Sequence, residues 1–250
     1  MTDPSSSEVG TLHAHGLPAG PPLHLEVPGA CARHLGPFLE PRRIAGMHAV
    51  LDRRTRRLTA LLEHVHDPHN VAACVRSCDA FGIQDLHVVP QPGTPRLLVG
   101  REVSRGADRW LTVHYHPTTA DAVTALHAAG YRVAATDLAA GDGPVAALPA
   151  VSVTEPLCVA FGNEHEGITP TLRALADLRV QIPMVGFVES LNISVAFAVA
   201  MSHLRFRRDA ALGGAGDLSD AERVELLDRW VFADVPRARA ILATLADRAP

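Results

Sequence analysis

From residue 57 onward, short apolar runs of strand length alternate with stretches whose apolar residues recur every three to four positions. Residues 58–65 predict a strand. Asp67 and Pro68 then stop it and start a helix that runs to about Phe81, with Asn70 as candidate N-cap and Gly82 as its end. Residues 86–89 and 110–115 predict strands, and 119–129 a helix closed by Gly130. Residues 131–136 and 157–161 predict strands, 169–176 a helix, 179–182 a strand and 190–207 a long helix. The strand runs are apolar on both sides, as expected where both sheet faces are covered. The alternation predicts an α/β domain over residues 58–208, with a mainly parallel sheet flanked by helices.

The flanks read differently. Residues 1–30 hold 12 Gly, Pro or Ser and no periodic apolar pattern, so residues 1–35 are expected to be a flexible leader. This stretch lacks Arg up to residue 30, unlike a secretory signal or transit peptide. Residues 36–57 predict a short basic helical segment. After the linker at 213–216, Ser219 and Glu222 form a capping-box pattern that opens a helical extension over 217–250. Its apolar stripe of Val224, Leu227 and Val231, beside Leu226 and Trp230, is expected to dock on the main domain or on a partner subunit.

Composition narrows the chemistry. All 23 basic residues are Arg, which excludes a Walker-A, kinase or Schiff-base lysine. Four Cys without paired spacing suit a reducing cytoplasm, and Cys74 and Cys78 read as helical core. No apolar run is long enough to span a membrane. No metal-ligand spacing such as H-E-x-x-H occurs among the 14 His, so no metal is expected. The net charge of −4 opposes a nucleic-acid partner unless positive charge is concentrated. Arg53, Arg54, Arg56 and Arg57, with Arg42 and Arg43 nearby, form such a concentration. Arg101, Arg105, Arg109, Arg205, Arg207 and Arg208 are candidates to extend it. The alternative is a solvated charged face.

Only three Asn occur, and each sits in a loop segment beside other polar groups or glycines. The first segment is Asn70-Val71-Ala72-Ala73-Cys74-Val75-Arg76, continuing to Ala80-Phe81-Gly82. The second, after an apolar strand, is Gly162-Asn163-Glu164-His165-Glu166-Gly167-Ile168. The third is Ile182-Pro183-Met184 followed by Ser190-Leu191-Asn192-Ile193-Ser194-Val195-Ala196. Ligands of open α/β sheets bind beyond the carboxyl ends of strands. Gly162 and Gly167 would let backbone approach a ligand, and Ile182–Met184 offers a rigid apolar wall for a flat base such as adenine. Ordinary turn, cap and core roles remain alternatives for each. The G-x-G-x-x-G spacing of a dinucleotide site is missing, which disfavours a nucleotide-dependent oxidoreductase.

Together the three segments resemble the signature motifs of the SPOUT superfamily, specifically the SpoU/TrmH family of RNA ribose 2′-O-methyltransferases. The run from His66 to Val71 and the Ser104–Trp110 segment resemble the branch that methylates guanosine 18 in the tRNA D-loop. The resemblance implies a C-terminal trefoil knot, a homodimer, a tRNA substrate and S-adenosylmethionine as methyl donor. It implies Arg76 as the catalytic arginine, with Asn70 beside it at the target ribose. It implies a cofactor site of Thr136, Gly162, Asn163, Glu164, Gly167, Ile182, Met184, Ser190, Leu191 and Asn192. Ser77 and Ile193 stand where Thr and Val are common in the family. A ribosomal-RNA methyltransferase and a non-catalytic RNA-binding protein of the same fold are the alternatives.

Overall fold

The computed structural model of the chain describes residues 27–93, 106–138 and 144–246. Two short helices come first, α1 (Ala30–Leu35) and α2 (Pro41–Leu51). Strand β1 (Leu58–Glu63) leads through a loop into α3 (Pro68–Ala80), followed by β2 (Asp85–Val89). Then come β3 (Thr112–Tyr115), α4 (Thr119–Ala128), β4 (Arg132–Thr136), β5 (Val145–Ala147) and β6 (Leu157–Phe161). The rest is α5 (Pro170–Leu175), β7 (Leu178–Gln181), α6 (Ile193–Leu212), α7 (Asp220–Asp234) and α8 (Ala238–Ala246). The seven strands form one parallel sheet in the order β3-β2-β1-β6-β4-β7-β5.

Strand alternation distributes the core. Ala60 and Leu62 of β1 face the layer made by α3 and α6, where Val71, Val75, Phe197 and Leu204 pack. Leu61 faces the opposite layer, against Val123 and Leu126 of α4 and Leu172 of α5. Every residue of β1 is therefore buried, which explains its lack of a polar alternation. Glu63, at the end of β1, is buried by use: it accepts hydrogen bonds from Thr119 Oγ1 at 2.5 Å, Thr169 N at 2.9 Å and Thr169 Oγ1 at 2.7 Å. One carboxylate thereby ties the starts of α4 and α5 to the central strand.

Several boundaries differ from the sequence reading for local reasons. Asp67, not Asn70, caps α3: its side chain accepts from His69 N, and Pro68 occupies the first turn. The long helix begins at Ile193, because Asn192 caps it. Edge strand β5 was not expected; it is three half-buried residues long. The part of the expected leader at residues 30–35 is helix α1, because Asp228 of α7 accepts hydrogen bonds from Gly29 N and Ala32 N, both at 2.7 Å. The leader before residue 27 lies outside the described residues.

The N-terminal segment and C-terminal extension fold as one layer with a shared core of Leu35, Met47, Leu51, Leu226, Trp230 and Val231. The capping box at Ser219 and Glu222 forms. Trp230 donates from Nε1 to Trp110 O at 3.0 Å and meets the Trp110 ring edge-on. The linker clips this layer to the sheet: Gly216 N donates to Asp52 O at 2.9 Å, and Asp217 accepts from Arg56 N at 2.9 Å.

This anchoring corrects the basic patch. Arg54 is fully buried, paired with Asp79 and lying 5.3 Å from the Trp230 ring centre. Burial pulls its pKa down, against the pull of Asp79. Arg56 pairs with Asp85 and Glu222, and Arg109 with Asp234. Arg205 and Arg208 are buried, donating to the carbonyls of Arg53 and Val153, and Arg207 donates to Val151 O. These guanidiniums serve the fold because a planar fork satisfies several carbonyls and carboxylates at once. Arg53 and Arg57 remain exposed; Arg101 and Arg105 lie outside the described residues.

Strands β2 and β3 carry a cluster of imidazoles. His87 Nδ1 and His116 Nε2 lie 2.9 Å apart, and His114 stacks on His87 and bonds Asp85 at 2.8 Å. Burial, then the neighbouring imidazoles, push the His87 pKa down from 6.5 to about 3, with Asp85 opposing. Above pH 6.5 both native and unfolded chains are neutral at this position. Between those values the unfolded chain takes a proton that the native one refuses, so stability falls as pH falls, by at most about tenfold in the folding equilibrium per pH unit for one proton. Melting temperature should drop between pH 7 and pH 5, and drop less in His87→Gln; equal drops would remove His87 as the cause.

Candidate functional site

A cavity of about 560 Å³ opens beyond the carboxyl ends of β4, β6 and β7. Its size is that of a small-molecule site. The structure brings all ten residues expected at the cofactor to its lining, from Thr136 at the end of β4 to Asn192 before α6. Ile182 and Met184 supply an apolar wall, while Asn163, Glu164, Ser190 and Asn192 supply polar groups.

The glycine loop is closed on itself. A Cβ on Gly162 would lie 2.2 Å from the Gly167 carbonyl oxygen, so no other residue fits. Gly167 takes φ +72°, a conformation few side chains allow. Asn163 N donates to Gly167 O at 2.8 Å, and Gly167 N returns a bond to Asn163 O at 3.0 Å. The close approach at Gly162 is made by the loop's own backbone, and both glycines line the cavity.

The asparagines work with both ends of their amides. Asn163 Oδ1 accepts from His165 N at 2.8 Å, while its Nδ2 donates to His64 O at 2.8 Å. Asn192 Oδ1 accepts from Ser194 N at 2.9 Å, and its Nδ2 donates to Asn70 Oδ1 at 3.4 Å. Asn70 Nδ2 in turn donates to Glu164 Oε1 at 2.9 Å, and Glu164 Oε2 accepts from His66 N at 3.2 Å. Turn-forming oxygens and bridging amides coexist, so the three segments form one network. Burial works to raise the Glu164 pKa, but the donors from Asn70 and the backbone of the β1–α3 loop hold it below the usual value. It stays an ionised acceptor at neutral pH.

His64 turns the chain from β1 into this loop with φ +54°, a left-handed conformation that a non-glycine residue rarely adopts. Both its backbone groups are used, N donating to Val89 O at 2.9 Å and O accepting from Asn163. Nothing in the local sequence signals this turn.

Arg76 is exposed on α3 and lies outside the cavity lining. Among the lining residues that were not anticipated are Asp137 and Arg173. An acid directly after β4, at a carboxyl strand end, was the available signal. Cys74 and Cys78 are buried in the core, as expected, and burial raises both thiols. Among the described residues no group of three or more His, Cys, Asp or Glu is placed to hold a metal ion. No described helix is long and apolar enough to cross a membrane.

The fold and site define a small-molecule cavity at the carboxyl edge of a parallel sheet, closed by a glycine loop and an asparagine network, and sequence comparison gives the family. The SpoU rRNA Methylase family pattern matches residues 57–202, more than half of the chain. The chain belongs to this family. It is 38% identical over 192 residues to the tRNA (guanosine(18)-2′-O)-methyltransferase of Escherichia coli K12, covering 76% of this chain and 82% of that protein. The crystal structure of the A. aeolicus TrmH/SpoU tRNA modifying enzyme matches 78% of this chain and 98% of its own, with TM-score 0.70 and 26% identity. The SpoU methyltransferase AviRb from Streptomyces viridochromogenes, in complex with the cofactor AdoMet, matches 68% of this chain and 65% of its own, with TM-score 0.52 and 26% identity.

The loop geometry sets two expectations. Gly162→Ala should abolish ligand binding in the cavity, because backbone rather than a flexible side chain would have to move. His64→Gly and His64→Asn should melt within a few degrees of the parent. His64→Val should melt lower, since a β-branched residue costs about 1–3 kcal/mol in this conformation; a parental melting point for His64→Val would show that the turn is not held.

Proposed function

We propose that this protein transfers a methyl group from S-adenosylmethionine to the ribose 2′-OH of guanosine 18 in the tRNA D-loop. The observation that carries the reading is the bond from Asn192 to Asn70, which joins the cavity rim to the helix that bears Arg76. Likeness to the E. coli enzyme over most of both chains supports guanosine 18, and likeness to AviRb with AdoMet supports the donor. The cavity fits that donor: an apolar wall suits the base, Asn163, Ser190 and Asn192 supply polar groups, and Glu164 and Glu166 supply negative charge for a sulfonium.

When bound, S-adenosylmethionine supplies a methyl group already activated on a sulfonium. The chain has to align the weakly nucleophilic 2′-oxygen and stabilise it as its proton leaves. Alignment is worth roughly 7–11 kcal/mol. The Asn70–Asn192–Glu164 network fixes the groups around that position, so little reorganisation accompanies reaction. Arg76 has no ion pair among the described residues and faces outward, where RNA approaches. A guanidinium stays protonated, so Arg76 acts as a cation on the 2′-oxygen and its neighbouring phosphate rather than as a literal base. The proton departs to phosphate or water.

The same proposal includes the trefoil knot in the C-terminal part of the 58–208 methyltransferase domain, and a homodimer. An apolar stripe of Val195, Val199 and Phe206 on α6 is exposed, and Phe187 and Val185 in the preceding loop are fully exposed. An apolar patch of this kind supports a subunit contact. Exposed Arg53 and Arg57 remain the RNA-facing part of the N-terminal segment.

Incubation with unmodified tRNA and labelled donor should yield 2′-O-methylguanosine at position 18; label elsewhere or none overturns the reading. Arg76→Ala should lower turnover by about 10²-fold or more, leaving S-adenosylhomocysteine affinity near the parent's. Val199→Asp with Phe187→Asp should shift the sedimenting species from dimer to monomer. A parent that sediments as a monomer would remove the dimer from the scheme.

A further inference from the structure

The cavity holds a charged pair that the three motifs do not contain. Asp137 follows Thr136 at the end of β4, and its side chain is 4% exposed. It lies 3.2 Å from Arg179 Nη1 on β7 and 3.3 Å from Arg173 Nη2 on α5. Arg179 is buried. Arg173 keeps 34% of its side chain accessible and is the one arginine among the described residues that line the cavity. Asp137 accepts from one donor of its fork; the other donors have no protein partner among the described residues.

Strand order gives the pair a definite place relative to the reacting end. Asn70 belongs to the segment after β1, whose neighbour is β6. Asp137 lies beyond β6, at the end of β4, and its amide donates to Val180 O of β7 at 2.9 Å. Ile182 and Met184 of the apolar wall follow directly from β7. A ligand whose reacting centre lay by Asn70 and Asn192 and whose flat arm lay on this wall would share the cavity with Arg173. That arm offers ring nitrogens and ribose hydroxyls, which are hydrogen-bond acceptors for a guanidinium.

We propose that Arg173, tethered by Asp137, is a further cofactor-contacting residue that donates hydrogen bonds to the adenosine arm of the methyl donor. This rests on the functional reading above. The tether lowers the freedom Arg173 loses on binding, which is the usual benefit of a pre-organised contact.

Calorimetry on the full chain with two probes tests it: S-adenosylhomocysteine, and 5′-methylthioadenosine, which lacks the amino-acid arm. Arg173→Met keeps the apolar stem and removes the donors. Both affinities should fall by the same factor, about three- to tenfold for a lost hydrogen bond. Asp137→Asn, which loosens the tether while Arg173 remains, should cost a smaller and again equal factor. Unchanged affinities for Arg173→Met overturn the proposal. So does a loss confined to S-adenosylhomocysteine, which would put Arg173 at the amino-acid arm. A parent chain that binds neither probe overturns the functional reading itself, and this proposal with it.

Discussion

The site depends on one close approach, that of the Gly167 carbonyl to the α-carbon of Gly162. Any side chain at Gly162 would occupy the space the carbonyl fills. The approach lets the backbone of Asn163 and Gly167 exchange hydrogen bonds across a very short loop. With its backbone satisfied there, Asn163 is free to spend its side chain on His64 O, and Glu164 is aimed at Asn70. The other end of the loop is held too, because Thr169 is anchored on the buried Glu63 carboxylate. A loop clamped at both ends is rigid enough to hold reacting groups in place.

Asparagine suits the junctions because its amide donates at one end and accepts at the other. At Asn192 the oxygen caps a helix and the nitrogen reaches Asn70; at Asn163 the oxygen closes a turn and the nitrogen reaches β1. An aspartate at either position would keep the cap and lose the bridge. The arrangement also explains why Glu164 remains ionised despite partial burial: its oxygens face donors, not other carboxylates.

The arginines reconcile a net charge of −4 with the proposed RNA substrate in an unexpected way. Much of the basic charge near the N-terminal segment is used to fasten the helical layer to the sheet. Arg54 holds Asp79 and lies against Trp230, and Arg43 and Arg109 share Asp234 around Trp110. A charge run in sequence therefore overstates the field the surface presents. Of the arginines in and near that run, Arg53, Arg57 and Arg76 are exposed and have no ion pair among the described residues.

The linear pattern by itself determined the parallel α/β class, the major strands, the two segments that line the cavity and the third that bonds to them through Asn70. It did so because apolar periodicity reports which faces are covered, and because glycine, proline and asparagine leave local signatures where the backbone turns. What it left open are relations between distant residues. Helix α1 exists through Asp228, 199 positions from Gly29, and the fate of Arg54 was decided by Trp230. The left-handed turn at His64 is held by Val89 and Asn163, with no turn-forming residue to announce it. Asp137 and Arg173 become one pair only when β4 and α5 meet at the cavity. Such contacts depend on which strands lie side by side, and the order of strands across the sheet is not the order of strands along the chain.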